Sequence, residues 1–352
     1  MAPLYLHIGA HKTATTYLQS LFALNRDTLS AAGILYPATF PYAAHHQLAR
    51  LWINQDSAEA TRHLFKTPQA AWQDVLTDEV TQFDGVVFLS SEVFSEFNPQ
   101  KVNMAELAAR LAKFDDVRVI YTLRSQPELV NSIWLQHAKK RTPMLPHRYA
   151  EKVLATQCAV GAGLSHLAFY QHICKGFDPS QIILLRYDDF RTYPGGVGQV
   201  FLDLLGAKLD VATLQEPDER AHNISPDALS TFVASRIQRE GPPPAELIQV
   251  VAKYLYKNGK RPSHILTRPE YEKVCDLFAQ DNARLAEMVQ RTQPGFSFEI
   301  GPAHPDTLFR DQVPTAIWPD IALDLWTSLK ARQGGGLFHR AVRKITSRLP
   351  KG

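Results

Sequence analysis

Near its start the sequence places a basic residue and several hydroxyl residues between a short apolar run and a helical pattern. The apolar run is LYLHI, residues 4–8, and GAHKTATT, residues 9–16, follows it. The first turn of a helix has unpaired N–H groups, and the helix dipole favours negative charge there. Lys12 would add a positive charge, and three hydroxyls would add donors, from Thr13, Thr15 and Thr16. This pattern indicates a phosphate-binding loop.

Two other interpretations of this segment have to be weighed. A plain helix start, with one threonine as N-cap and Lys12 at the surface, explains the segment alone equally well. The nucleotide-kinase pattern G-x-x-x-x-G-K-[ST] does not fit, because Gly9 stands only three residues before the lysine and His11 directly precedes it. Asp188 and Asp189 follow a predicted strand, but they serve equally well as caps of the next helix. We therefore expect no metal site.

The rest of the chain supplies elements that would position this loop. Short apolar runs that precede helical patterns predict strands at 4–8, 85–90, 117–123 and 181–187, with a helix at 127–140 after the third. This alternation is typical of an α/β fold with a parallel sheet flanked by helices. Ligands bind at the carboxyl ends of such strands. That edge should carry residues 9–16, Ser91–Glu92, Arg124–Ser125 and Asp188–Asp189.

We expect one domain over residues 1–329 and a separate tail over 330–352. The domain would contain a helical insert at about 44–83 and would be mostly helical from about 225. The tail has three consecutive glycines, seven Lys/Arg residues and no acidic residue. This composition favours a mobile, solvated tail, with contact to a membrane surface as the alternative.

Composition excludes several classes of protein. The formal net charge of +3 is too small and too evenly spread to indicate nucleic-acid binding. Three cysteines, odd in number and far apart, are typical of reduced thiols: Cys158, Cys174 and Cys275. No signal peptide and no apolar run long enough to span a membrane is visible. We expect a cytoplasmic protein, and the sequence does not predict its oligomeric state.

The segment HIGAHKTATTYLQ, residues 7–19, resembles the 5′-phosphosulfate loop of the sulfotransferases that use 3′-phosphoadenosine 5′-phosphosulfate (PAPS). The core of that loop is K-T-G-[ST]-[ST]. The resemblance, closest to the bacterial branch, implies a P-loop NTPase-like sulfotransferase fold, PAPS as donor, 3′,5′-ADP as product and no required metal. It implies that residues 11–16 hold the phosphosulfate. Ala14 stands where the family has glycine, and we expect it to adopt a helical-entry geometry.

A second, independent motif carries more weight. YTLRSQPELVNSIW, residues 121–134, has an arginine after a predicted strand and a serine eight positions later. Family members use such a pair for the 3′-phosphate of the donor, so the resemblance assigns that role to Arg124 and Ser132. The resemblance to the sulfotransferases covers roughly the first 230 residues. The R-K-G-x-x-G-D-W-K segment that ends the animal cytosolic enzymes has no good copy here, since NGKRPSH, residues 258–264, does not match.

Sulfuryl transfer builds negative charge on the leaving phosphate oxygen, and we expect Lys12 to stabilise it. The acceptor loses a proton, which requires a general base. Family enzymes use Glu or His, and we rank Glu92 first and His46, or its neighbour His45, second. The acceptor stays open among a glycan, a lipid headgroup and a small metabolite. Aromatic side chains near the site offer either stacking surfaces or core packing: Tyr42, Trp52, Phe94, Phe97 and Trp134.

Two other functions remain open at this point. One is a kinase or nucleotide hydrolase of the P-loop class, which would need Mg²⁺. The other is a non-enzymatic module that binds phosphate or sulfate through the same loop. Consumption of PAPS with an acceptor, in the absence of Mg²⁺, separates both from a sulfotransferase.

Overall fold

The computed structural model describes residues 1–39, 43–53, 67–96, 101–218 and 227–330. Its strands are β1 Leu4–His7, β2 Ile34–Leu35, β3 Val86–Ser90, β4 Val117–Leu123, β5 Cys158–Ala159, β6 Ala162–Gly163, β7 Ile182–Arg186, β8 Ser263–His264 and β9 Leu308–Phe309. Its helices up to the sixth are α1 Thr15–Leu24, α2 Arg26–Ala31, α3 His46–Ala49, α4 Pro68–Val75, α5 Asp78–Thr81 and α6 Met104–Leu111. The later helices are α7 Gln126–Ala138, α8 Pro146–Thr156, α9 His166–Ile173, α10 Gly196–Leu204, α11 Ala228–Ile237, α12 Ala245–Leu255 and α13 Arg268–Val289.

The main sheet has five strands in the order β2-β3-β1-β4-β7, and every neighbouring pair is parallel. β1 lies in the centre, where Leu4 pairs with Val87 of β3 and with Val117 of β4. The expected α/β class, with a parallel sheet flanked by helices and a helical C-terminal part, is confirmed. The loop that follows β1 therefore leaves the middle of the sheet at its carboxyl edge.

Side chains alternate between the two faces of the sheet, as the pleat requires. Leu4 and Leu6 of β1 join one buried cluster, which α4, α6, α9 and α13 complete. Phe88 and Ile120 point to the opposite face and join a second cluster with α1, α2 and α10. Because both faces are covered by helices, the strands are apolar almost throughout, which explains why sequence periodicity located them.

Some details differ from the sequence prediction. The strand β2 follows the helices α1 and α2 and has only two residues, too few for a sequence signal. The helical pattern that follows the loop corresponds to two helices, because the first ends at Leu24 and the side chain of Asn25 donates to the carbonyl of Leu21. The insert at 44–83 contains α3, α4 and α5 in its described parts. Residues 331–352, most of the expected tail, lie outside the described residues.

The chain divides into two compact units. The first comprises residues 1–133, 147–224 and 270–302, and it contains the main sheet. The second comprises residues 134–146, 225–269 and 303–352, and its described core packs α11 and α12 around the small parallel pair β8 and β9. In the part of the chain that the structure describes, no helix has the length and apolarity needed to cross a membrane.

Candidate functional site

The loop after β1 has an unusual backbone. Gly9, Lys12 and Ala14 all have positive φ angles, of 39°, 69° and 60°. Left-handed residues among right-handed ones turn successive N–H groups toward one concavity, which is the geometry of an anion-binding nest. Ala14 is the N-cap of α1 and makes no side-chain cap bond. The expectation that Ala14 takes a helical-entry geometry is wrong, since the position is left-handed and suits glycine.

Gly9 lets the loop pack closely on the strand that precedes it. A Cβ atom at Gly9 would stand 2.9 Å from Cγ2 of Thr15 and 3.2 Å from Nε2 of His7. The first separation is shorter than real Cβ contacts, and the φ angle of 39° adds strain for any other residue. The loop is thereby held against the carboxyl end of β1.

The three threonines are placed differently. Thr13 is buried and donates its hydroxyl hydrogen to the carbonyl of Ala10 at 2.7 Å, so its hydroxyl stabilises the loop itself. Thr15, the first residue of α1, is also buried. Thr16 is exposed, and its hydroxyl is open to solvent. The sequence did not distinguish these roles, because it does not show which side chain turns inward.

Arg124 connects the second motif to the loop. It follows β4 directly, and its Nη1 donates to the main-chain carbonyl of Lys12 at 2.6 Å. Its guanidinium carbon lies 4.9 Å from the ring centre of Tyr187, and Nη2 lies 3.7 Å from the Glu128 carboxylate. Its Nε is buried and has no hydrogen-bond partner among the described residues. Ser132, the other member of the motif, lies half-buried in the second turn of α7.

A buried histidine holds the backbone of Arg124. His166 donates from Nε2 to the Arg124 carbonyl at 2.8 Å, and its Nδ1 therefore accepts from the hydroxyl of Tyr121 at 2.9 Å. Burial lowers the pKa of His166 to about 4, against the smaller opposing effect of that carbonyl, so this histidine is neutral near pH 7. His166 was not predicted as a site residue, because it lies 42 positions from Arg124 in the sequence.

The two candidate bases lie next to each other. Oε1 of Glu92 is 3.9 Å from Nε2 of His46, and Nδ1 of His46 is 2.8 Å from the hydroxyl of Ser91. Glu92 begins a 3₁₀ turn, Glu92–Ser95, directly after β3. His45 is fully buried, donates to the Pro37 carbonyl and accepts from the N–H of Ser90, so it is a structural residue.

Burial and charge set the protonation of this pair. Burial raises the pKa of Glu92, but His46, a hydrogen bond from Gln19, the residue's own N–H and His11 outweigh it, so the pKa lies below 4.5. Burial lowers the pKa of His46 below 6.5, opposed by Glu92 and reinforced by Arg50 and His11. Near neutral pH Glu92 is therefore a carboxylate and His46 is neutral.

A chain of buried polar side chains runs beneath the loop to Glu92. Nε2 of Gln19 donates both to the Ser90 hydroxyl at 3.2 Å and to Oε2 of Glu92 at 2.9 Å. The Ser90 hydroxyl is also 3.0 Å from Nδ1 of His7, whose pKa burial lowers to about 4 although Glu92 opposes this. His7 and Gln19 were not predicted as site residues from the sequence. The available signal was a polar residue at a core position, in the strand LYLHI and on the apolar face of α1.

Other predicted residues are engaged elsewhere. Asp189 pairs with Arg186 at 2.7 Å, on the turn that follows β7. Trp52 donates to Glu106 and packs against the core, and Phe94 is fully buried there. Trp134 is buried in the second unit and donates to the carbonyl of Met144. Tyr42 and Phe97 lie outside the described residues.

Among the residues that are described, no three His, Cys, Asp or Glu side chains are grouped as metal ligands.

The sequence matches no family model and no curated protein. The chain is similar in fold to several solved structures, including three sulfotransferases. A sulfotransferase from Alicyclobacillus acidocaldarius is 19% identical over 68% of this chain and 94% of its own, with a TM-score of 0.39. A sulfotransferase domain from the curacin biosynthetic pathway is 11% identical over 74% and 99%, with a TM-score of 0.35. The sulfotransferase domain of the Synechococcus PCC 7002 olefin synthase is 13% identical over 72% and 94%, with a TM-score of 0.32.

Proposed function

We propose that the chain is a sulfotransferase that moves a sulfuryl group from PAPS to a hydroxyl or amine and releases 3′,5′-ADP. One observation carries this proposal. The guanidinium of Arg124 bonds to the loop that contains Lys12, so two anion-binding elements from distant parts of the sequence share one edge of the sheet. A donor with two separate phosphate groups requires that arrangement, whereas a single phosphate needs only the loop.

The residues fit such a donor. Arg124 keeps a buried Nε without a partner among the described residues, and an unmade bond of a buried charged donor is unfavourable. A 3′-phosphate beside the guanidinium would accept from Nε, and the hydroxyl of Ser132 would add a second donor. At the other end, the left-handed positions of Lys12 and Ala14 turn backbone N–H groups toward the 5′-phosphosulfate.

Lys12 and the loop N–H groups stabilise charge during transfer. When bound, PAPS supplies the sulfuryl group and a phosphate leaving group. The oxygen that leaves with the 5′-phosphate gains negative charge, and we expect the Lys12 ammonium and the first N–H groups of α1 to stabilise it. Since these groups suffice for the charge, we expect no metal ion to be required.

The tautomer of His46 favours Glu92 as the base. A neutral histidine whose Nε2 lone pair faced a carboxylate at 3.9 Å would be repelled by it. We therefore assign the proton of His46 to Nε2, with Nδ1 accepting from the hydroxyl of Ser91. In that tautomer His46 orients the carboxylate, and Glu92 is the group that accepts the proton of the acceptor.

The transfer then balances without any further reactant. The acceptor oxygen forms a bond to sulfur while the bond between sulfur and the bridging oxygen breaks. The electron pair of the broken bond stays on the 5′-phosphate oxygen beside Lys12. The acceptor proton passes to a carboxylate oxygen of Glu92, from which solvent later removes it.

Turnover of PAPS in the presence of EDTA tests this proposal. The protein is incubated with PAPS and a panel of hydroxyl and amine acceptors, and 3′,5′-ADP is measured with and without EDTA. We expect acceptor-dependent release of 3′,5′-ADP that EDTA does not change. If the protein does not consume PAPS and hydrolyses ATP only with Mg²⁺, it is a P-loop kinase or hydrolase. If it binds 3′,5′-ADP but consumes no PAPS with any acceptor, it is a binding module.

A further inference from the structure

A cavity of about 300 Å³ opens beside the loop in the first unit. Its walls are His11 of the loop, the residues Ser95 and Glu96, Lys101, and the tip of the β5–β6 hairpin at 160–162. At about 30 Å³ for each water molecule, the space corresponds to roughly ten waters. It is therefore large enough for a small organic molecule.

Chain neighbours of the groups that would react line the cavity. His11 directly precedes Lys12, and it lies close enough to contribute to the lowered pKa values of both Glu92 and His46. On another wall, Ser95 ends the 3₁₀ turn that Glu92 begins, and its hydroxyl donates to the Glu92 carbonyl at 2.7 Å. A molecule in the cavity would thus lie between the phosphate loop and the turn that carries the base.

Four of the seven described lining residues have polar or charged side chains: His11, Ser95, Glu96 and Lys101. Nζ of Lys101 donates to Oε2 of Glu96 at 3.3 Å, and the two side chains are 37% and 25% exposed. A partly exposed ion pair of this kind contributes little to stability, so breaking it for a ligand would cost little. None of the described lining residues is Phe, Tyr or Trp. The large rings nearby, Trp52 and Phe94, belong to the core.

The hairpin tip is strained where it meets the cavity. Val160 and Gly161 form the two-residue connection between β5 and β6, with φ angles of 49° and 88°. Turns with two positive φ angles normally use Asn-Gly, and a β-branched residue in this conformation is an outlier. Strain of this kind persists at sites where the position of a side chain matters. Val160 and Ala162 supply apolar side chains to the lining.

We propose that this cavity holds the acceptor, and that the acceptor is a small polyhydroxylated alcohol of the sugar type. This inference rests on the proposed sulfotransferase function. A carboxylate such as Glu96 accepts from two neighbouring hydroxyls, and an ammonium such as Lys101 donates to a third. Val160 packs against the apolar face of the ring. A further hydroxyl then faces Glu92 and forms the new bond to sulfur in the step described above.

Acceptor kinetics with matched variants test the proposal. The panel is methyl glucoside, methyl galactoside, phenol and 1-octanol, each with PAPS. We expect one of the glycosides to have the highest kcat/KM. Glu96→Gln and Lys101→Gln should each raise its KM roughly 10–100-fold, the effect of losing hydrogen bonds to a charged group, with kcat nearly unchanged. Ala162→Phe should block the cavity, whereas Thr156→Phe, exposed and outside the lining, should not.

A second variant separates strain from function. Val160→Asn should raise the thermal midpoint, because asparagine tolerates the left-handed conformation, and should raise the KM for the glycoside. The proposal is overturned if phenol or 1-octanol is preferred, if no glycoside is sulfated, or if the Glu96 and Lys101 variants keep the wild-type KM. The affinity for 3′,5′-ADP distinguishes a failure of the acceptor proposal from a failure of the sulfotransferase proposal. If wild type does not bind 3′,5′-ADP, the sulfotransferase proposal is wrong. If it is retained in every variant, only the acceptor site is in question.

Discussion

The main-chain carbonyl of Lys12 accepts a hydrogen bond of 2.6 Å from Nη1 of Arg124. The two residues are 112 positions apart in the sequence and leave two neighbouring strands, β1 and β4, at the same edge. This contact joins the loop and the second motif into one site. It also means that a change at either residue acts on the geometry of the other.

Lys12→Ala should lower kcat by about 10²-fold or more with the fold intact, because the variant loses a charge beside the leaving oxygen. Both residues can occupy the left-handed conformation at similar cost, so the backbone should not change. Steady-state transfer from PAPS measures the effect. Lys113→Ala removes an equivalent charge from an exposed position and should behave as wild type. A Lys12→Ala enzyme with near-normal kcat would refute the role assigned to this lysine.

Ala14→Gly should stabilise the protein or leave it unchanged. The left-handed conformation at φ 60° destabilises alanine by about 1–2 kcal/mol, and glycine removes this strain. The greater conformational freedom of glycine in the unfolded chain opposes that gain by about 0.5–1 kcal/mol. Ala109→Gly is the matched control, because Ala109 is exposed inside α6 and the same change there should destabilise by about 1 kcal/mol. Urea unfolding compares the two. Equal destabilisation by both changes would show that Ala14 is not left-handed in solution.

The pH profile reports the pair of Glu92 and His46. Because the pKa of Glu92 is lower than that of a free glutamate, the acid limb of kcat/KM should lie at lower pH than the titration of a free glutamate. Gln19→Leu removes a hydrogen bond that favours the carboxylate, so the acid limb should move to higher pH. Glu92→Gln should lower kcat by about 10²–10⁴-fold while 3′,5′-ADP still binds. An acid limb that Gln19→Leu does not move would assign it to another group.

Sequence patterns located much of this fold because strands buried on both faces are apolar almost throughout. The ends of β1, β3, β4 and β7 followed from that pattern, and so did the edge that gathers the site. The side chains that hydrogen-bond to the site residues could not be predicted from the sequence. Gln19, His7 and His166 have no local pattern, since each acquires its role from a residue that only folding brings near. Left-handed Ala14 was missed because alanine rarely adopts that conformation.

Three buried histidines should make stability depend on pH. Burial lowers the pKa values of His7, His45 and His166 from 6.5 to about 4. Below pH 6.5 these histidines bind protons in the unfolded chain but stay neutral in the folded chain. The free energy of unfolding therefore falls as pH decreases toward 4. Each histidine contributes about 1.4 kcal/mol per pH unit across this window.

Urea unfolding between pH 7 and pH 4.5 measures that slope. His45→Gln should reduce the slope by one proton, whatever its effect on stability at pH 7. A stability that stays constant from pH 7 to pH 4.5 would contradict the burial of these neutral histidines.

The preference for 3′,5′-ADP over 5′-ADP tests the central claim most directly, because only the 3′-phosphate distinguishes them. Calorimetry of wild type, Arg124→Ala and Arg186→Ala measures it without knowledge of the acceptor. Arg186 is a matched control, since it lies at the carboxyl end of β7 in the same sheet but pairs with Asp189. We expect wild type and Arg186→Ala to prefer 3′,5′-ADP, and Arg124→Ala to lose roughly 10–100-fold of that preference. Equal binding of both nucleotides by wild type, or tighter binding of ATP with Mg²⁺, would contradict the account.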